Sequence, residues 1–153
     1  MPQLIQTIDR IARIQQRDVL FLSFYDRALK ERLDNVPKEE RFDAQQQWRD
    51  HRSEAWATLP IRQQIIDWLD AKGIAWQPCA QFAPGWVIME GYVGDIYLDV
   101  PYDKDLPFYQ ELEAYLQYPD DTMRFENVMF FCLTLEQAMV NAEQDAPGFF
   151  DDL

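Results

Sequence analysis

Leu4, Ile5, Ile8, Ile11 and Ala12 fall on one helical stripe, so residues 2–16 are expected to form an amphipathic helix. After Asp18, the run Val19 to Tyr25 is β-branched and aromatic on both faces. That pattern suits a central strand; continuation of the first helix is the competing reading. A short helix is expected over 26–34, stopping near Asn35-Val36-Pro37. Residues 38–58 are polar but place Ala44, Trp48, His51, Ala55 and Leu59 on one helical face. Pro60 suits the first turn of another helix, with Ile61, Ile65, Trp68 and Leu69 inward and Gly73 as its left-handed stop.

The texture changes at Ile74. Pro78, Pro84 and Gly85 punctuate the chain from here, and short strands are expected. Gly94-Asp95 suits a type II′ turn between strands 86–93 and 96–101. A helix follows, with Asp105 as cap, Pro107 in its first turn and Phe108, Tyr109, Leu112, Tyr115 and Leu116 as its stripe. Pro119-Asp120-Asp121 reads as a turn, and Phe125 to Leu133 as a second strand apolar on both faces. Thr134 with Gln137 forms a capping box for a last helix. The order α-β-α-α-β-β-β-α-β-α predicts one α+β domain over 1–153. Its mainly antiparallel sheet has about five strands and is packed by about five helices. Residues 26–60 are a candidate helical insertion, and 145–153 a candidate flexible acidic tail.

At 153 residues with 48% hydrophobic positions, the chain can build a core without disulfides or metal. Charge changes the picture more. Residues 1–76 are balanced, whereas 77–153 set only Lys104 and Arg124 against fifteen acids and so carry the whole net charge of −13. Nucleic acid and anionic membrane surfaces need basic residues that this half lacks. A basic protein partner fits it. The first ten residues have no basic, apolar leader pattern, and no apolar run approaches the roughly 20 residues of a membrane span. Cys79 and Cys132 are isolated and are expected to be buried free thiols. A reducing, cytoplasmic setting is expected.

The turn at Gly94-Asp95 sets a register for the expected hairpin. Val93 would oppose Ile96, Gly91 would oppose Leu98, and Met89 would oppose Val100, on a wholly apolar core face. The other face would carry Trp86, Ile88, Glu90, Tyr92, Tyr97 and Asp99, with Tyr92 opposite Tyr97 and Glu90 opposite Asp99. Two carboxylates about 5 Å apart repel each other. Such a pair can take a hard cation, share a proton for acid–base work, or receive an Arg or Lys from a partner. It can also splay into water or be neutralised by a basic residue of this same chain. The aromatic face can equally be covered by a helix of the first half.

Common catalytic patterns are absent. His51 is the only histidine, and Ser23 and Ser53 sit in no nucleophile elbow. Cys79 has no neighbouring base, the glycine-rich phosphate loops are missing, and Asp99, Asp103 and Asp105 lack the rest of a calcium loop. No metal site and no cofactor is expected. The leading expectation is an acidic binding protein that engages a basic protein as inhibitor, immunity-type protein or regulatory subunit. Its partner-binding residues are Trp86, Glu90, Tyr92, Asp95, Tyr97, Asp99 and Asp103. The alternatives are a small enzyme or divalent-metal binder using the Glu90/Asp99 pair, and a homodimer subunit.

Overall fold

A computed structural model describes residues 6–80 and 92–145. Helix α1 spans Ile8–Gln15 and begins later than its apolar stripe suggests, because Thr7 caps it by accepting the Arg10 N–H. Strand β1 (Val19–Phe24) follows, then α2 (Arg27–Asp34), α3 (Arg41–Glu54) and α4 (Pro60–Lys72). The expected 38–58 helix is divided: single 3-10 turns at Lys38–Glu40 and Trp56–Thr58 flank α3. Next come β2 (Trp76–Pro78), β3 (Ile96–Leu98), α5 (Pro107–Leu116), β4 (Val128–Leu133) and α6 (Leu135–Asp145). The described residues therefore form an α+β fold with six α-helices and one antiparallel sheet of four strands. Among the described residues four strands lie in that sheet, and most of the expected strand over 86–93 falls outside them. The three helices after β1 match the three helical stretches of the sequence, one more than the order α-β-α-α counts.

Local chemistry places most boundaries where the sequence suggests. Pro60 and Pro107 open α4 and α5, where a missing N–H costs nothing. Gly73 ends α4 with φ of 73°, a left-handed value that suits glycine. Thr134 accepts the Gln137 N–H at 3.1 Å, and Asp18 accepts the Leu135 N–H at 2.7 Å, so two side chains hold the start of α6. Asp105 does not cap α5; Leu106 occupies that position without a side-chain cap.

The strand order is β2-β3-β1-β4. β1 lies inside the sheet, as its two apolar faces suggest, and both of its faces are covered. Leu20, Leu22 and Phe24 join Ile96, Leu98, Val100 and Val128 against Ile65, Ile66 and Leu69 of α4 and Tyr109, Leu112 and Leu116 of α5. Val19 and Tyr97 face the other way, against Ile8, Ile11 and Ala12 of α1 and Ala138 of α6. α2 and α3 pack on each other and add little to either core: α2 buries no residue, and Ala44 is the buried apolar residue of α3.

Residues 86–91, most of the first strand of the expected hairpin, lie outside the described residues, and the second strand, β3, pairs with other strands on both edges. Leu98, Tyr97 and Ile96 pair with Leu20, Phe21 and Leu22 on one edge of β3, and with Trp76, Gln77 and Pro78 on the other. A strand has two hydrogen-bonding edges, and both are taken. The ladder continues on the β2 side, where the Ala75 carbonyl accepts the Asp99 N–H and the Asp95 carbonyl accepts the Cys79 N–H. Val93 therefore does not oppose Ile96. β4 differs in another way: its sequence is apolar on both faces, yet it is an edge strand with Phe131 and Cys132 exposed.

Candidate functional site

Seven residues were expected to meet a partner, and the fold distributes them. Trp86 and Glu90 lie outside the described residues. Tyr92 is half-buried in a clamp with α4. Its hydroxyl donates to the Asp95 carbonyl at 2.5 Å and accepts from Arg62 at 3.1 Å. Its ring meets Trp56 edge-on at 4.7 Å, while the Arg62 guanidinium stacks over Trp56 and donates to the Gly94 carbonyl. Burial pushes the Tyr92 phenol up to about 12, against the opposing pull of Arg62. This tyrosine secures the entry to β3.

Asp95 is fully buried, with a guanidinium nitrogen of Arg52 3.6 Å from its carboxylate. Its charge is internal and is not offered at the surface. Arg52 in turn lies over the rings of Tyr25 and Trp48, so the pair joins α3 to the start of β3. His51 belongs to the same cluster: it stacks on Trp48 at 5.5 Å and accepts the Asp26 N–H through Nε2. That is a packing role.

Tyr97 is buried under α1 and α6, so Tyr92 and Tyr97 do not form a cross-strand pair. The Tyr97 hydroxyl donates to Asp99 Oδ1 at 3.0 Å, and Arg17 donates to both, at 3.0 Å and 2.7 Å. Burial, with Asp99 adding to it, raises the Tyr97 phenol despite Arg17. Asp99 remains half-exposed, but a basic residue of its own chain holds it. Asp103 is exposed and folds its carboxylate onto the Asp105 N–H at 3.0 Å. Asp99 and Asp103 are thus the described acids of the expected set that reach solvent.

The surface where acid and aromatic residues do meet lies farther along the chain. A groove of about 190 Å³ runs between the outer side of β4 and α5, lined by Tyr102, Tyr109, Glu113, Asp121, Phe130, Phe131 and Cys132 among others. It continues into a second hollow of about 400 Å³ that shares Lys104, Glu113 and Gln117 and reaches Tyr118 and Arg124. Tyr109 hydrogen-bonds Glu113; burial first, and then that carboxylate, raise its phenol. Arg124 is fixed by the Ala114 and Gln117 carbonyls and stacks on Tyr118. Asp121 stands in a tight turn at φ 70°, which aspartate tolerates better than most residues. The turn is braced by Asp120, whose carboxylate accepts from the Thr122 hydroxyl and N–H. Those two bonds hold the Asp120 carboxyl below its ordinary value.

Along the stretch that leads into α5 and on to β4, Asp103, Asp105, Glu111, Asp120 and Glu126 are exposed. So are the rings of Tyr102, Phe108, Tyr118 and Phe131. Sequence reasoning assigned Tyr109 and Phe108 to the stripe of α5 and Phe131 to a buried strand. The available signal was the run of acids from Asp103 to Glu126, interleaved with tyrosine. The thiols also divide: Cys79 is buried and its pKa is pushed up by burial, whereas Cys132 is exposed, contrary to expectation. Among the described residues no group of three or more His, Cys, Asp or Glu could hold a metal ion, and no helix is long and apolar enough to cross a membrane.

Comparison with known proteins adds no relative: no protein family, no curated protein and no solved structure matches the chain.

Proposed function

We propose that this protein is an acidic, cytoplasmic binding module that engages a basic protein, acting as an inhibitor, immunity-type protein or regulatory subunit. One observation carries the reading: exposed acids and exposed aromatic rings share the surface around α5 and β4, with Lys104 and Arg124 as the only basic residues of residues 77–153. Aromatic rings supply contact area at low entropic cost, and the surrounding carboxylates steer a cationic partner and set its register. The same charge opposes nucleic acid and anionic membranes. Two free thiols agree with a reducing compartment.

The contact surface in this reading keeps Asp99 and Asp103 and adds Tyr102, Glu113, Asp121 and Phe131. Asp95, Tyr92 and Tyr97 act as internal supports. The metal-binding or enzymatic alternative turns on the Glu90/Asp99 pair, of which Glu90 lies outside the described residues and Asp99 is engaged by Arg17. The test is capture from a low-salt extract of the source cells on immobilised protein, eluted with a salt step and identified by mass spectrometry. The expected result is a stoichiometric basic protein that salt releases. It is lost when Asp103→Lys is combined with Glu113→Lys, while the far-UV circular dichroism is unchanged. Equal capture by the folded double variant would remove the basis of the reading.

A further inference from the structure

The sheet has two edges, and they are built differently. The β2 edge is three residues long and ends in Pro78, which has no N–H to offer. Natural sheets blunt their edges in this way to prevent unwanted pairing. The β4 edge is six residues long, Val128 to Leu133, with no proline, glycine or charge. Tyr25 donates its N–H to the Asn127 carbonyl at 3.2 Å, which fixes the alternation of the β1–β4 ladder. With Asn127 bonded inward, antiparallel geometry turns the N–H and C=O groups of Phe130 and Cys132 outward. Among the described residues no backbone group bonds to them from that side.

The groove beside this edge has the chemistry of a strand-binding cleft. Toward α5 its wall carries the carboxylates of Glu113 and Asp121, with the ring of Tyr102 and the ammonium of Lys104, so acids outnumber bases there two to one. On the other side of the strand stands Phe131, stacked on Phe21 at 5.1 Å. Side chains of an added strand alternate between those two environments. We infer that β4 takes an extended segment of the partner as a fifth strand, with Lys or Arg at alternate positions facing Glu113 and Asp121 and apolar residues between them. This rests on the proposed basic partner and names the way it is held. A second copy of this chain is the less favourable occupant, because it would bring surfaces of the same strongly negative charge together.

The probe is a capped seven-residue peptide of alternating lysine and valine, added to isotopically labelled full-length protein. Backbone amides of Phe130 and Cys132 are expected to shift on titration. Two further peptides carry N-methyl groups, one on the lysine amides and one on the valine amides. Only one alternate set of amides can face β4, so one methylated peptide is expected to bind at least about tenfold more weakly and the other nearly normally. Replacing Glu113→Gln with Asp121→Asn in a protein of unchanged circular dichroism is expected to weaken the parent peptide about tenfold at low salt. Equal binding by both methylated peptides would mean surface charge alone is read, overturning strand addition while leaving the basic-partner reading intact. So would an absence of shifts in β4, or no binding at millimolar peptide. A free protein that sediments as a dimer with protected β4 amides would give the edge to a second copy and also overturn the inference. The capture experiment decides the broader reading separately.

Discussion

Arg17 shows how a single residue changes the meaning of a sequence pattern. Asp99 reads as half of a repelling carboxylate pair, yet the guanidinium of Arg17 and the hydroxyl of Tyr97 both bond it. The two residues lie 82 positions apart, and no local spacing announces their meeting. Asp95 carries the same lesson: a turn aspartate by sequence, it is an internal partner of Arg52. What the sequence did convey at this scale was backbone chemistry. Gly94 was placed in a turn, and its φ of 97° is a value that residues with a side chain rarely adopt. The reason for glycine is also steric: a Cβ there would lie 2.6 Å from the Cβ of Trp56. Gly94→Ala is therefore expected to cost about 2–4 kcal/mol through combined strain and overpacking. Urea unfolding followed by tryptophan fluorescence measures it, and a loss under about 0.5 kcal/mol would show that the clamp around Tyr92 gives way easily.

Elements were legible where one face or one cap defined them. The caps of α6, the proline starts of α4 and α5 and the glycine stop of α4 are local signals, and each operates. Two apolar faces correctly placed β1 inside the sheet. The same pattern in β4 belongs to an edge strand, because apolar faces report what covers a strand above and below, not what lies beside it. The neighbours of β3 were missed for a related reason. The short segment Trp76–Pro78 takes the β3 edge that the turn at Gly94 assigns to residues 86–93, and three residues leave little periodicity to detect. Burial then ranks the helices. Leu69 of α4 is fully buried in the main core, while Phe42 of α3 is 78% exposed. Leu69→Ala is expected to lose about 2–5 kcal/mol. Phe42→Ala should stay within about 0.5 kcal/mol. Chemical denaturation of both variants checks the contrast, and a comparable loss at Phe42 would mean α3 is more than a peripheral support.

At the scale of the whole molecule, charge is the feature that sequence and fold express together. The acids of the second half were countable from the chain; their arrangement was not. Folding takes Asp95 inside, ties Asp99 to Arg17, leaves Asp103, Asp105, Glu111, Asp120 and Glu126 exposed, and lines the groove with Glu113 and Asp121 beside Tyr102 and Phe131. The proposed contact surface therefore lies around α5 and β4, which the sequence pattern presents as core elements, rather than on a hairpin. A molecule of net charge −13 with that surface should attract a cationic partner over distances longer than any contact. The most direct test is the association rate of the captured partner with the purified protein, measured across ionic strength. Steering predicts a rate that falls by at least about tenfold between 20 and 500 mM salt while the dissociation rate changes little. A salt-independent association rate would contradict the account, because the acidic surface would then play no part in recognition.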